Sequence, residues 1–216
     1  MPGRRRLGHA LDETLGQKLV DQQCDVGSRL GFFQAGVLRA LNLSDGTLSE
    51  ICKASSAVGG TWTADGRIII TQDGQLFAVR AAGGEPKLLT RMKVRESLSY
   101  PQLLPDGRHV LFYSRDLTGG WAAAANLETG KVQRIVASDG PAVFTAPDRL
   151  LYVRGASIVA QPFNAATLTL GGEPQVIANG AGPGALAAPD GTISASTTGV
   201  LAFLSARAGP AGQLTL

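Results

Sequence analysis

Two cysteines and two histidines in 216 residues leave little material for a disulfide framework or a metal centre. Cys24 and Cys52 stand apart, without the close spacing of metal-ligand motifs, and read as free thiols. His9 and His109 are accompanied by no Gly-x-Ser-x-Gly elbow, so no Ser-His-Asp constellation can be assembled, and no catalytic residue, cofactor site or metal ligand is assigned. No apolar run approaches the roughly eighteen residues that span a bilayer, so no membrane span is expected. Arg4-Arg5-Arg6 leads into Leu7-Gly8-His9-Ala10-Leu11-Asp12-Glu13 and not into the uninterrupted apolar core of a signal peptide, so the chain itself names no compartment. An excess of one charge is missing too: 20 Lys and Arg against 17 Asp and Glu leave +3. Three N-terminal arginines release too few counterions for useful affinity, and no nucleic-acid partner is expected.

What the chain has in quantity is glycine, 28 residues placed between short apolar runs, a pattern that favours many strands joined by tight turns. One pattern recurs. Pro105-Asp106-Gly107-Arg108-His109-Val110-Leu111-Phe112-Tyr113 is an Asp-centred turn followed by large apolar residues. It is matched upstream by Ala64-Asp65-Gly66-Arg67-Ile68-Ile69-Ile70 and downstream by Ala146-Pro147-Asp148-Arg149-Leu150-Leu151-Tyr152-Val153, at intervals of 41 and 42 residues. Weaker copies stand at Gly27-Ser28-Arg29-Leu30-Gly31-Phe32-Phe33 and at Thr198-Gly199-Val200-Leu201-Ala202-Phe203-Leu204. Each unit holds about four strands separated by turn signals such as Asp45-Gly46, Asp73-Gly74 and Thr129-Gly130. A four-stranded meander repeated every forty or so residues cannot bury both faces alone and must stack on its neighbours. The fold class that follows is all-β: a β-propeller of four-stranded antiparallel blades, four and part of a fifth.

Residues 1–27 depart from the repeat. Leu11, Leu15 and Leu19 recur at helical spacing, with Asp12 and Glu13 early and Lys18 late, which predicts a short helix over Leu11 to Gln23. The blades then occupy 28–207 and a tail 208–216. The residues Asp65, Gly66, Asp106, Gly107 and Asp148 read as structural turns, because Asp before Gly is what a tight turn asks for, its carboxylate capping nearby N–H groups. Trp62 and Tyr100, on innermost strands, are the candidates for meeting a ligand at a channel mouth.

The stretches Trp62-Thr63-Ala64-Asp65-Gly66 and Leu104-Pro105-Asp106-Gly107-Arg108, with the Ala81-Ala82-Gly83-Gly84-Glu85-Pro86 turn and the strand end Gln161-Pro162-Phe163, resemble the TolB-like, WD-repeat-like bacterial β-propellers. More narrowly they are similar to the C-terminal propeller of bacterial Ser/Thr protein kinases, over about residues 28 to 205. That family is often extracytoplasmic and usually has six or more blades, so the resemblance implies a truncated or replaced beginning. No kinase Gly-rich loop, catalytic Asp loop or Asp-Phe-Gly is present, so kinase activity does not carry over. The expected function is a non-catalytic sensor or scaffold that binds a protein, peptide or small molecule through blade-end loops, with no enzyme activity and no cofactor. The alternative is the accessory propeller of a larger kinase or peptidase. Open blade faces at the two ends are expected to favour self-association.

Overall fold

The computed structural model describes residues 18–19, 29–90, 95–180, 193–195 and 201–203. Their regular structure is all strand. Blade 1 is β1 (Lys18–Leu19), β2 (Arg29–Gln34), β3 (Val37–Asn42) and β4 (Leu48–Lys53), paired in that order. Blade 2 is β5 (Gly60–Trp62), β6 (Arg67–Gln72), β7 (Gln75–Arg80) and β8 (Lys87–Thr90), and blade 3 is β9 (Ser97–Leu103), β10 (His109–Asp116), β11 (Gly119–Asn126) and β12 (Val132–Ala137). Blade 4 is β13 (Val143–Thr145), β14 (Arg149–Arg154) and β15 (Ser157–Asn164), with β15 paired along one edge by both the short β16 (Thr169–Leu170) and β17 (Gln175–Asn179). A further pair, β18 (Ile193–Ala195) with β19 (Leu201–Phe203), follows. Every pairing is antiparallel and, apart from β15 with β17, joins neighbours in the chain, as a meander requires, and the propeller architecture expected from the repeat is the one observed.

The apolar runs of the repeat are the second strands of the blades, and the structure shows why they are continuous and not alternating. Ile68 and Ile70 of β6 pack toward blade 1 with Phe33, Leu38 and Ile51, while Ile69 between them packs toward blade 3 with Val110 and Phe112. In β10, Leu111 turns the other way and joins Leu150, Tyr152 and Phe163 of blade 4. In blades 2, 3 and 4 the second strand is buried on both faces, which is the condition under which strands read as unbroken apolar runs. Where two large side chains would collide, the third strand is small: Ala123 and Ala124 of β11 lie opposite Phe112 and Leu111. A register shift falls between third and outermost strand in all four blades, at Leu38/Arg39, Leu76/Phe77, Ala122/Ala123 and Ile158/Val159. Such bulges increase local twist and turn the outer edge away from neighbours.

The helix expected over Leu11 to Gln23 requires correction where it can be compared. Within that span the structure describes only Lys18 and Leu19, and these form a strand on the inner edge of blade 1, opposite Phe33 and Phe32. The rest of the span lies outside the described residues. Propensity for an isolated helix of three turns is marginal, whereas a first strand completes the blade's four-stranded sheet. The turn between β10 and β11 is tight. Strand β11 begins at Gly119, because the Asp116 carboxylate caps Thr118 N at 2.7 Å and closes the turn at Leu117–Thr118.

Candidate functional site

Asp65, Asp106 and Asp148 fall in the loops between first and second strands of blades 2, 3 and 4, so all three lie at one end of the propeller. In two of them the carboxylate is consumed by its own turn. Asp65 accepts from Arg67 Nε at 2.7 Å, from Thr63 Oγ1 and from Arg67 N, and the Arg67 guanidinium holds its carboxyl below the usual carboxylate range. Asp106 accepts from the N–H groups of Arg108 (3.0 Å) and His109 (3.1 Å) and pairs with His109 Nδ1 at 2.6 Å. Burial pushes the Asp106 carboxyl up, but those hydrogen bonds outweigh it and leave it lowered.

The Asp106–His109 pair is absent from the sequence reading, although its spacing of three across a turn was available. The amide oxygen of Asn126 accepts from Glu128 N, Thr129 N and Thr129 Oγ1, which leaves its Nδ2 facing His109 Nε2 at 3.4 Å. Both ring nitrogens thus face polar partners, Nδ1 the Asp106 carboxylate and Nε2 the Asn126 amide, and the imidazole clasps the turn.

Asp148 is different. Its turn, Thr145-Ala146-Pro147-Asp148-Arg149, lacks the glycine that follows Asp65 and Asp106, and a cis peptide joins Ala146 to Pro147. Among the described contacts its carboxylate reaches only Arg149 Nε, at 3.7 Å, and both side chains are about half exposed. Asp148 also borders a cleft of about 440 Å³, in the size range of small-molecule sites. The walls are Pro105 from the blade 3 turn, Pro147 from the blade 4 turn, and Phe144, Pro162 and Phe163 from blade 4. Phe144 and Phe163 meet edge to face with centroids 6.3 Å apart, and both are largely buried, so the cleft floor is fixed by the core. The remaining wall is fixed by hydrogen bonds: Asn164 Oδ1 accepts from Ala166 N and Thr167 N, Gly171 N donates to Pro162 O at 2.9 Å, and Gln161 Nε2 donates to Gly172 O at 3.1 Å.

The two candidates for ligand contact lie elsewhere. Trp62 is 6% exposed and packs among Ile68, Ile70 and Val79 in the core between blades 1 and 2. Tyr100, on β9, is half-buried with a left-handed φ of 55° and donates its backbone N–H to Val58 O at 2.9 Å. At the opposite end of blade 3, Glu96 accepts from Ser114 Oγ at 2.7 Å and from Arg134, which also binds Asp116 at 2.5 Å and lies over the Trp121 ring at 4.9 Å. Its charges are spent on one another. No group of three His, Cys, Asp or Glu side chains suited to a metal ion occurs among the described residues.

Cys52 is free and half-buried, and Cys24 lies outside the described residues. Burial, with the nearby Glu85 charge second, pushes the Cys52 thiol up to about 11. At pH 8 its alkylation by iodoacetamide is expected to be roughly a hundredfold slower in the folded chain than in urea, since only the thiolate reacts. Mass spectrometry of the Cys52 peptide checks this; equal rates would place the thiol in open solvent.

No protein-family model and no curated protein matches the sequence. Solved structures do match in fold. A luciferin-regenerating enzyme aligns over 89% of this chain and 69% of its own with a TM-score of 0.65 at 11% identity. A gluconolactonase, XC5397 from Xanthomonas campestris, aligns over 82% of this chain and 66% of its own, with a TM-score of 0.63 and 17% identity. TolB from Acinetobacter baumannii aligns over 68% and 41%, with a TM-score of 0.52 and 15% identity. The chain thus spans about two thirds of the two enzymes and less than half of TolB, and its fold is a TolB-like β-propeller. At these identities the likeness shows the fold alone, yet it overturns the expectation of a non-catalytic module. That expectation took the lack of a local hydrolase or kinase motif on a propeller as grounds against catalysis, and this architecture carries catalysis in two of the matched proteins. On a rigid frame of blades, loops far apart in sequence supply a site, so no contiguous motif is required.

Proposed function

We propose that the chain belongs to a catalytic β-propeller that acts on a small carbohydrate-derived molecule, with the cleft at the turn end of blades 3 and 4 as the place of binding. What supports this is the fold shared with a gluconolactonase along 82% of the chain, together with a pre-formed cleft of small-molecule size. The narrower likeness to kinase-associated propellers stays a proposal about ancestry, and brings no activity to this chain.

Purified full chain is expected to hydrolyse δ-gluconolactone or a related sugar lactone above the spontaneous rate, followed by acid release at constant pH. Gly171 lines the cleft, and a Cβ added there meets only Pro162 Cβ at 3.9 Å, an ordinary contact. Gly171→Leu should therefore fold normally while filling the cleft and removing at least nine tenths of the turnover, about 1.4 kcal/mol or more in transition-state stabilisation. Absence of lactone turnover in the unmodified chain, or turnover indifferent to Gly171→Leu, sinks this reading.

A further inference from the structure

We infer that Asp148 and Arg149 form the polar end of a binding site for a neutral, hydroxyl-rich ring, a pyranose or its lactone, whose apolar face lies on the proline walls of the cleft. The inference deepens the functional reading above and rests on it for the class of ligand.

The first observation is the contrast among three equivalent turns. Asp65 and Asp106 each give their carboxylates to backbone N–H groups and to a basic side chain within 2.7 Å, which is the work the turn requires. Asp148 has been relieved of that work. With no glycine after it, Arg149 follows directly and opens β14, and the closest described contact of the carboxylate is 3.7 Å. Of the three, Asp148 alone lines the cleft.

The second observation is what stands beside that carboxylate. Asp148 presents acceptors from the cleft lining, and Arg149, outside that lining, presents donors 3.7 Å from the carboxylate, both accessible to water. A cation brought to this pair meets the guanidinium, and an anion meets the carboxylate. A vicinal diol meets neither difficulty, because each hydroxyl both donates and accepts. Charge-assisted hydrogen bonds to such groups are the stronger kind, so an uncharged diol gains from both partners.

The third observation is the lining. Pro105, Pro147 and Pro162 come from three separate segments and converge on one space with Phe144 and Phe163 behind them. Their C–H surfaces suit the apolar face of a saturated ring, and the volume of about 440 Å³ admits a single sugar but not a folded partner.

The test uses the full chain and three probes of one shape and different charge: methyl β-glucopyranoside, glucuronate and glucosamine, titrated by calorimetry or by saturation-transfer NMR. The expected result is saturable binding of the glucoside, with the two charged sugars weaker by about tenfold each. Asp148→Ala and Arg149→Gln should each weaken the glucoside by about tenfold or more, whereas Asp65→Asn, in the turn that keeps its carboxylate for itself, should leave glucoside affinity unchanged. Asp148 is half exposed, so Asp148→Ala is expected to melt like the parent and the comparison stays readable. No glucoside binding, equal or tighter binding of a charged sugar, or binding untouched by Asp148→Ala would overturn the inference. Lactone turnover that is absent while the glucoside binds through Asp148 would refute the catalytic reading alone. Turnover that survives Asp148→Ala, with no glucoside bound, would refute the site assigned here alone.

Discussion

Phe112→Ala is expected to destabilise the chain by about 3–5 kcal/mol. Phe112 is fully buried and packs in the cluster between blades 2 and 3, among Ile69, Leu76, Leu98 and Ala123. Its cross-strand partner on β11 is Ala123, small enough to admit the ring and too small to fill the space it would vacate. A cavity that cannot collapse carries the full penalty, because both the transfer term and the lost dispersion contacts are forfeited. Thermal melts should fall by about 6–20 °C, taking about 2–4 °C per kcal/mol for a chain of this size. The comparison is Leu43→Ala: Leu43 is 55% exposed, so its loss should fall within about 0.5 kcal/mol. Blade faces that stack as described cannot give similar values for the two; a Phe112→Ala melt within a degree of the parent would mean that the blades do not bury this residue.

The fold was legible because its signal is local and repeated. The turn residues Asp65, Asp106 and Asp148 and the runs Ile68-Ile69-Ile70, Val110-Leu111-Phe112 and Leu150-Leu151-Tyr152 each specify one turn and one doubly buried strand, and the spacing alone gives the stacking. At Lys18–Leu19 the same reasoning failed. Leu11, Leu15 and Leu19 obey helical spacing, but Leu19, with Lys18, pairs with Phe32 and Phe33, a pairing that spacing does not encode. The candidate site was visible in one respect and hidden in another. The missing glycine after Asp148 can be read directly, yet treating three turns as equivalent concealed that one carboxylate was left over. Convergence of Pro105, Pro147 and Pro162 on one cleft could not be read, since it depends on how neighbouring blades lean together. For the same reason the lack of a contiguous catalytic motif does not argue against catalysis: on a propeller, side chains from different blades meet only after folding.

Gln102 shows the same dependence on long-range placement, and its replacement is the second large effect expected. The side chain is nearly buried on β9, the innermost strand of blade 3, and reaches across to the innermost strand of blade 4. There Nε2 donates to Phe144 O at 3.0 Å and Oε1 accepts from Phe144 N at 2.7 Å, so one side-chain amide satisfies both backbone groups of a residue 42 positions away. One blade earlier a related link joins Leu103 N to Thr61 Oγ1, again 42 residues apart, so adjacent inner strands are tied by side chain to backbone where their own ladders do not meet. Removing the amide leaves a buried N–H and a buried C=O without partners, at about 1–3 kcal/mol each, and the sum expected for Gln102→Ala is about 2–6 kcal/mol. Gln102→Met keeps length and volume but neither hydrogen bond, so it separates packing from polarity. Both variants should unfold at lower urea concentration, with Gln102→Met recovering less than half of the loss, and amide exchange at Phe144 should accelerate in both. If Gln102→Met matched the parent in urea while Gln102→Ala did not, the side chain would act through its volume, and the hydrogen bonds between blades 3 and 4 would add nothing to their docking.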